Sequence, residues 1–171
     1  MLRNRSPTSE GAPTPLFDPE TTAFLETGCA LLVATVLPDG EPFATRGWGL
    51  TVVDADRGEV RLLLDSQDTE TIARLREGGR VACTATSVID LRSVQLKGRG
   101  RGVGVATAAD RERATAYTDA FFADVEATDG YERTLLSRLL PRDYVPCALV
   151  VEELFDQTPG PGAGKPMTTL L

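Results

Sequence analysis

From residue 29 to residue 106 the chain alternates short apolar runs with compact polar clusters. Cys29 to Val36 (CALLVATV) is apolar and rich in β-branched residues, and Pro38-Asp39-Gly40 behind it is a turn signal. A long strand is expected from Pro42 to Val53. After the turn Asp54-Ala55-Asp56-Arg57-Gly58, another is expected from Glu59 to Leu64. Three strands joined this closely predict an antiparallel meander. Asp65 to Thr69 then leads into a short helix with Ile72 and Leu75 on one face, stopped by Gly78-Gly79. Arg80 to Ser87 reads as the fourth strand. Arg92 to Ala106 reads as a fifth, with glycines at 98, 100, 102 and 104 that predict bulges or close backbone approach.

Helical periodicity flanks this block. Asp18-Pro19 is a helix start and Gly28 its stop. Thr107 with Asp110 three residues later reads as a capping box, followed by the stripe Ala114, Tyr117, Phe121, Val125. A second helical stretch is expected from Tyr131 to Leu140, before Pro141, and a last strand from Cys147 to Phe155. The Pro/Gly-rich tail from Gln157 is expected to be irregular, and residues 1–17 are expected to form a flexible arm. Strands dominate, with helices at the connections. The fold class is therefore mainly β (α+β), a small antiparallel barrel with short flanking helices.

Composition narrows the chemistry. The chain has 171 residues and a net charge of −7, which excludes a nucleic-acid or anionic-membrane surface built on a basic patch. It has no histidine, so a Ser-His-Asp triad, a histidine metal site and the usual neutral-pH proton shuttle are absent. Cys29, Cys83 and Cys147 sit in apolar runs without a CxxC pair and read as buried thiols in a reducing compartment. Without an apolar leader in residues 1–17 or a run long enough to span a bilayer, a cytoplasmic protein is expected.

The segments ALLVATVLPDGEPFATRGWG, LLLDSQDTETIARLREGGRVAC, VQLKGRG and ALVVEELFDQTPGPGAG follow one another in an order that resembles the pyridoxamine 5'-phosphate oxidase-like split β-barrels. The resemblance covers roughly residues 17–164, and the order is more specific than any one motif. It implies an antiparallel split β-barrel over 18–156 that binds FMN, with a Pro/Gly-rich tail over 157–171. It also implies a homodimer with cofactor clefts between subunits, and flavin-dependent oxidoreductase activity on a small molecule. The family's true oxidases carry an Arg-Leu-rich substrate segment with a nearby histidine. This chain has neither, so that activity is not expected of it.

Carried onto this sequence, the cofactor contacts fall on Thr45, Arg46, Gly47 and Trp48 of the long strand, on Ser66, Thr69 and Thr71 around the short helix, and on Gln95 and Lys97. Strand alternation puts Arg46 and Trp48 on one face, where Arg46 suits a phosphate and Trp48 a ring. Thr71 stands where the family usually places a lysine, and Asp65, Asp68 and Glu70 lie beside it. Carboxylates repel a phosphate. Two further readings therefore stay open: a cofactor-free binding protein with a decayed phosphate site, and a barrel that takes a deazaflavin or, less readily without histidine, haem.

Overall fold

A computed structural model of the protein describes residues 16–169. The elements run α1 (Pro19–Glu26), β1 (Ala30–Val36), β2 (Pro42–Asp54), β3 (Glu59–Asp65), α2 (Thr69–Arg76), β4 (Arg80–Thr86), β5 (Ser93–Val103), α3 (Ala108–Asp129), α4 (Arg133–Leu136), a 3-10 turn (Ser137–Leu139), β6 (Tyr144–Asp156) and β7 (Lys165–Thr169). The sheet order is β3-β2-β1-β4-β5-β6-β7, and an additional β3–β6 pairing closes six strands into an antiparallel barrel. Tyr144 to Val150 of β6 pair with β3, whereas Glu153 to Asp156 pair with β7, which continues that edge.

Alternation decides which side chains enter the barrel. On β1, Leu31, Val33 and Thr35 are buried while Leu32 and Val36 are more than half exposed. The same inward set continues through Val81, Cys83 and Ala85 of β4 and Val94 and Leu96 of β5. With Leu50, Leu62, Leu64, Leu149 and Val151 they form the main core. Helix α2 packs across this core through Thr71, Ile72 and Leu75. A second cluster joins Trp48 to Phe122 and Val125 of α3 and Leu136 of α4.

Glycines 98 and 100 permit the close approaches expected of them. A Cβ on Gly98 would lie 2.0 Å from the carbonyl oxygen of Val150, and one on Gly100 would lie 2.0 Å from that of Leu75. The β5–β6 register shifts at Lys97/Gly98 and again at Gly100/Gly102. Thr107 and Asp110 form the expected capping box at the start of α3.

Four expectations need correction. The tail is not wholly irregular: β7 forms within it, after a turn in which Gly160 and Gly164 adopt positive φ (147° and 82°). Those glycines reverse the chain and let five residues return along β6, which a Pro/Gly count conceals. The arm ends earlier than residue 17, because Leu16 and Phe17 are buried and the Phe17 N–H donates to the carbonyl of Ala55. Residues 1–15 of that arm lie outside the described residues. The expected helix over 131–140 contracts to α4 and the 3-10 turn. In α3 the aromatic of the stripe that enters the core is Phe122, with Phe121 half-buried beside it.

Candidate functional site

A cleft of about 250 Å³ opens on the outer face of the barrel, between β1, β2, β4 and α3. Strand pairing assembles it. Arg46 of β2 lies opposite Leu32 of β1, Leu32 opposite Thr84 of β4, and Thr84 opposite Gln95 of β5. Ala30 pairs with Thr86 at its other end. Helix α3 supplies the remaining wall through Thr118 and Phe121. It approaches this closely because Gly28, with φ of 108°, leaves room: a Cβ there would lie 2.7–2.9 Å from Ala120, Tyr117 and Phe121 atoms.

Trp48 reaches the cleft through a β-bulge. The β2–β3 register steps from Gly47/Leu64 to Gly49/Leu63, so Trp48 is the extra residue. Bulges of this kind re-aim a side chain. The indole packs into the α3 cluster and still lines the cleft, with the Arg46 guanidinium carbon 5.6 Å from its ring centroid. Arg46 is exposed and makes no ion pair among the described residues. Among the described residues the cleft lining contains no carboxylate. It offers one cation, the hydroxyls of Thr84 and Thr86, and the rings of Trp48 and Phe121, while the Thr118 hydroxyl donates to the carbonyl of Ala114 within α3. A mostly apolar concavity with a few converging polar groups is the usual form of a small-molecule site.

The nine residues expected to hold a cofactor do not all meet here. Arg46, Gly47 and Trp48 line the cleft. Gln95 joins it indirectly, because its amide nitrogen donates to Thr84 Oγ1 at 3.1 Å. Lys97 sits in a neighbouring cleft with Arg80, Glu152 and Glu153, its ammonium 4.2 Å from the centre of the Phe155 ring. Thr45 is half-buried opposite Val33. Ser66 is half-buried, its N–H donating to the carbonyl of Asp143, and Thr69 is exposed at the start of α2. Neither is among the residues lining the Arg46 cleft.

Thr71 is placed where it meets no cleft. Its side chain is fully buried, and its hydroxyl has no partner among the described residues. The reason is helical geometry: Thr71 and Leu75 are four residues apart and share the face that α2 turns inward. As α2 lies, Thr71 cannot contact a phosphate in solvent. Asp68 occupies the N-cap position of α2 but makes no side-chain capping bond.

Several cleft residues were absent from the sequence expectation: Cys29, Thr84, Thr86, Thr118 and Phe121. The threonines reach the cleft by strand pairing and helix packing between distant segments, which one sequence does not reveal. The alternation of β4 would have grouped Thr84 with Thr86.

The thiols are held protonated. Burial pushes Cys83 and Cys147 up to about 12, and also raises Cys29, which is less deeply enclosed and lines the cleft. Since the thiolate is the reactive form, alkylation with iodoacetamide at neutral pH is expected to label Cys29 first, with Cys83 and Cys147 labelled only on unfolding. Peptide mass spectrometry across a time course checks this. Equal labelling of Cys83 and Cys29 would contradict the burial order.

No helix among the described residues is long and apolar enough to cross a membrane. No protein-family model matches the sequence, and no curated protein matches it. Solved structures do match. HupZ from Group A Streptococcus is 16% identical with a TM-score of 0.52, over 86% of this chain and 100% of that one. A protein from Lactobacillus delbrueckii assigned as a pyridoxamine 5'-phosphate oxidase is 18% identical with a TM-score of 0.51, over 83% of this chain and 95% of that one. At such identities the likeness speaks for architecture alone. Together with the six-stranded closure, it establishes that the chain has the split β-barrel fold of the pyridoxamine 5'-phosphate oxidase-like proteins.

Proposed function

We propose that the protein is a homodimeric, cytoplasmic flavoprotein that binds FMN at the Arg46–Trp48 cleft and acts as an oxidoreductase on a small molecule. The observation that carries this reading is the make-up of the cleft among the described residues: an unpaired cation, the two strand hydroxyls of Thr84 and Thr86 and two aromatic rings, with no carboxylate. A planar ring system fits between apolar strand residues and aromatic side chains, and a cation beside it favours an anionic ligand. A ligand site usually measures about 300–1,000 Å³. The cleft of one subunit, about 250 Å³, is smaller. That supports a site completed by a second copy, as does the exposure of Leu32 and Val36 on the same face of β1.

Fit to the phosphate is narrower than fit to the ring. With Thr71 in the core, the only cation lining this cleft among the described residues is Arg46. In this reading Arg46 binds the anionic part of the ligand, while Trp48 and Phe121 flank the ring and exclude water. FMN supplies the electron transfer, which needs no histidine from the protein.

The test is the visible spectrum of purified protein after FMN addition and removal of the unbound fraction, repeated with Arg46→Ala. Flavin bands are expected to stay with the wild type. The substitution is expected to weaken binding about tenfold or more, the scale of a lost charge-assisted hydrogen bond. A wild type that retains no FMN would replace this reading with that of a cofactor-free binding protein. Sedimentation checks the dimer: a monomer at micromolar concentration with FMN present would exclude a cleft shared between subunits.

A further inference from the structure

Two hydrogen-bond chains end at the cleft, and they leave its two strand hydroxyls with opposite character. The first begins in the C-terminal turn. The Gln157 side-chain amide donates to Gln95 Oε1 at 3.4 Å, and Gln95 Nε2 donates to Thr84 Oγ1 at 3.1 Å. Gln157 is itself anchored, because its backbone N–H donates to the carbonyl of Ser93 at 2.8 Å and the Ser93 N–H donates to Thr158 Oγ1 at 3.0 Å. Thr84 thus accepts from Gln95 and keeps its own proton free.

The second chain runs the other way. Ser93 Oγ donates to the carbonyl of Leu91 at 2.9 Å, and Ser93 Oγ lies 2.9 Å from Thr86 Oγ1. A hydroxyl has one proton. With the Ser93 proton given to Leu91, the Thr86 proton goes to Ser93, and Thr86 turns only lone pairs to the cleft. The Leu91 carbonyl is set by a left-handed backbone (φ 61°), a conformation that costs about 1–2 kcal/mol in a residue with a side chain.

Thr84 and Thr86 are two residues apart on one face of β4, about 6.6 Å along the strand, and both line the cleft. We infer that they read the polar edge of a planar heterocycle, Thr84 donating to a ring carbonyl and Thr86 accepting from the adjacent ring N–H. The ligand class is a cyclic amide or imide. Gln157 and Gln95 are positioning residues that fix which hydroxyl is the donor. This gives the C-terminal turn a role in selectivity, although Gln157 does not itself line the cleft. The inference rests on the cleft proposed above as the flavin site but not on a phosphate contact.

The probe is lumiflavin, the flavin ring with a methyl group in place of the phosphate-bearing chain, compared with its 3-methyl derivative, in which the one ring N–H is blocked. Trp48 is the only tryptophan in the chain and lies in the cleft, so its fluorescence reports binding directly. Lumiflavin is expected to bind about tenfold tighter than the methylated ring, the value of one hydrogen bond. Thr86→Val is expected to abolish that preference, Thr86→Ser to restore it, and Gln157→Ala to reduce it while leaving the fold intact by circular dichroism. Equal affinity of the wild type for the two rings, an inverted preference, no binding of either, or a preference that survives Thr86→Val would overturn the inference. FMN that fails to bind while lumiflavin is discriminated would sink the FMN reading and leave this one standing.

Discussion

Gly98→Ala is expected to cost more than about 4 kcal/mol of stability, enough to leave little cooperatively folded protein. The added methyl would lie 2.0 Å from the Val150 carbonyl oxygen and 2.9 Å from both the Val150 carbonyl carbon and the Val151 Cα. All three are backbone atoms of β6, so no side-chain rotation relieves the clash. The strand would have to move, and with it the β5–β6 pairing and the β3–β6 pairing that closes the barrel. Overpacking among movable side chains usually costs about 1–3 kcal/mol, and a fixed backbone obstacle costs more. Gly104→Ala is the matched control, because its Cβ would find only Pro146 Cγ at an ordinary 3.7 Å. That change is expected to stay within about 0.5 kcal/mol. Urea denaturation of both variants, followed by circular dichroism, makes the comparison. Similar midpoints for the two would mean that β5 and β6 are not in such close contact.

The same glycines show what a single sequence carries. Their spacing along a strand announced bulges and close approach, and turn signals such as Pro38-Asp39-Gly40 marked the meander, because these are local steric facts. The pairing of Thr84 with Leu32 and of Leu32 with Arg46 is not local, and so the cleft that these strands build was only half legible. Arg46 and Trp48 were grouped by alternation. A bulge that alternation does not foresee then moved Trp48 into the α3 cluster without taking it from the cleft. Thr71 shows the opposite case. Its spacing from Leu75 places it on the inward face of α2, whereas the family correspondence puts it at the phosphate. The strand β7 escaped because prolines and glycines mark the turn more loudly than five residues mark a strand.

Asp110→Asn is expected to destabilise the protein by about 2–3 kcal/mol, through the loss of one carboxylate that serves two elements. Oδ1 accepts from Arg61 Nε at 2.6 Å, and Oδ2 accepts from Arg61 Nη2 and from the Thr107 N–H and hydroxyl, each at 2.8 Å. The same group therefore completes the cap of α3 and fastens that helix to β3. An asparagine amide turns a donor toward groups that are themselves donors, so at least one bond is replaced by a conflict. The Arg61 hydrogen bonds, with further help from the Thr107 N–H and hydroxyl, hold the Asp110 carboxyl well below the usual carboxylate range. A carboxyl depressed in the folded state stabilises fully above its unfolded value, near 4, and loses that contribution as pH falls from there toward its folded value. The gap between wild type and Asp110→Asn is thus expected to be constant from neutral pH down to about 5 and to narrow progressively below about 4. Urea midpoints of the two proteins over that range decide it. A gap that stays constant into acid would assign the loss to hydrogen-bond geometry alone, and no gap at any pH would mean that α3 is held to the barrel by its apolar face, through Ala114, Tyr117, Phe122 and Val125.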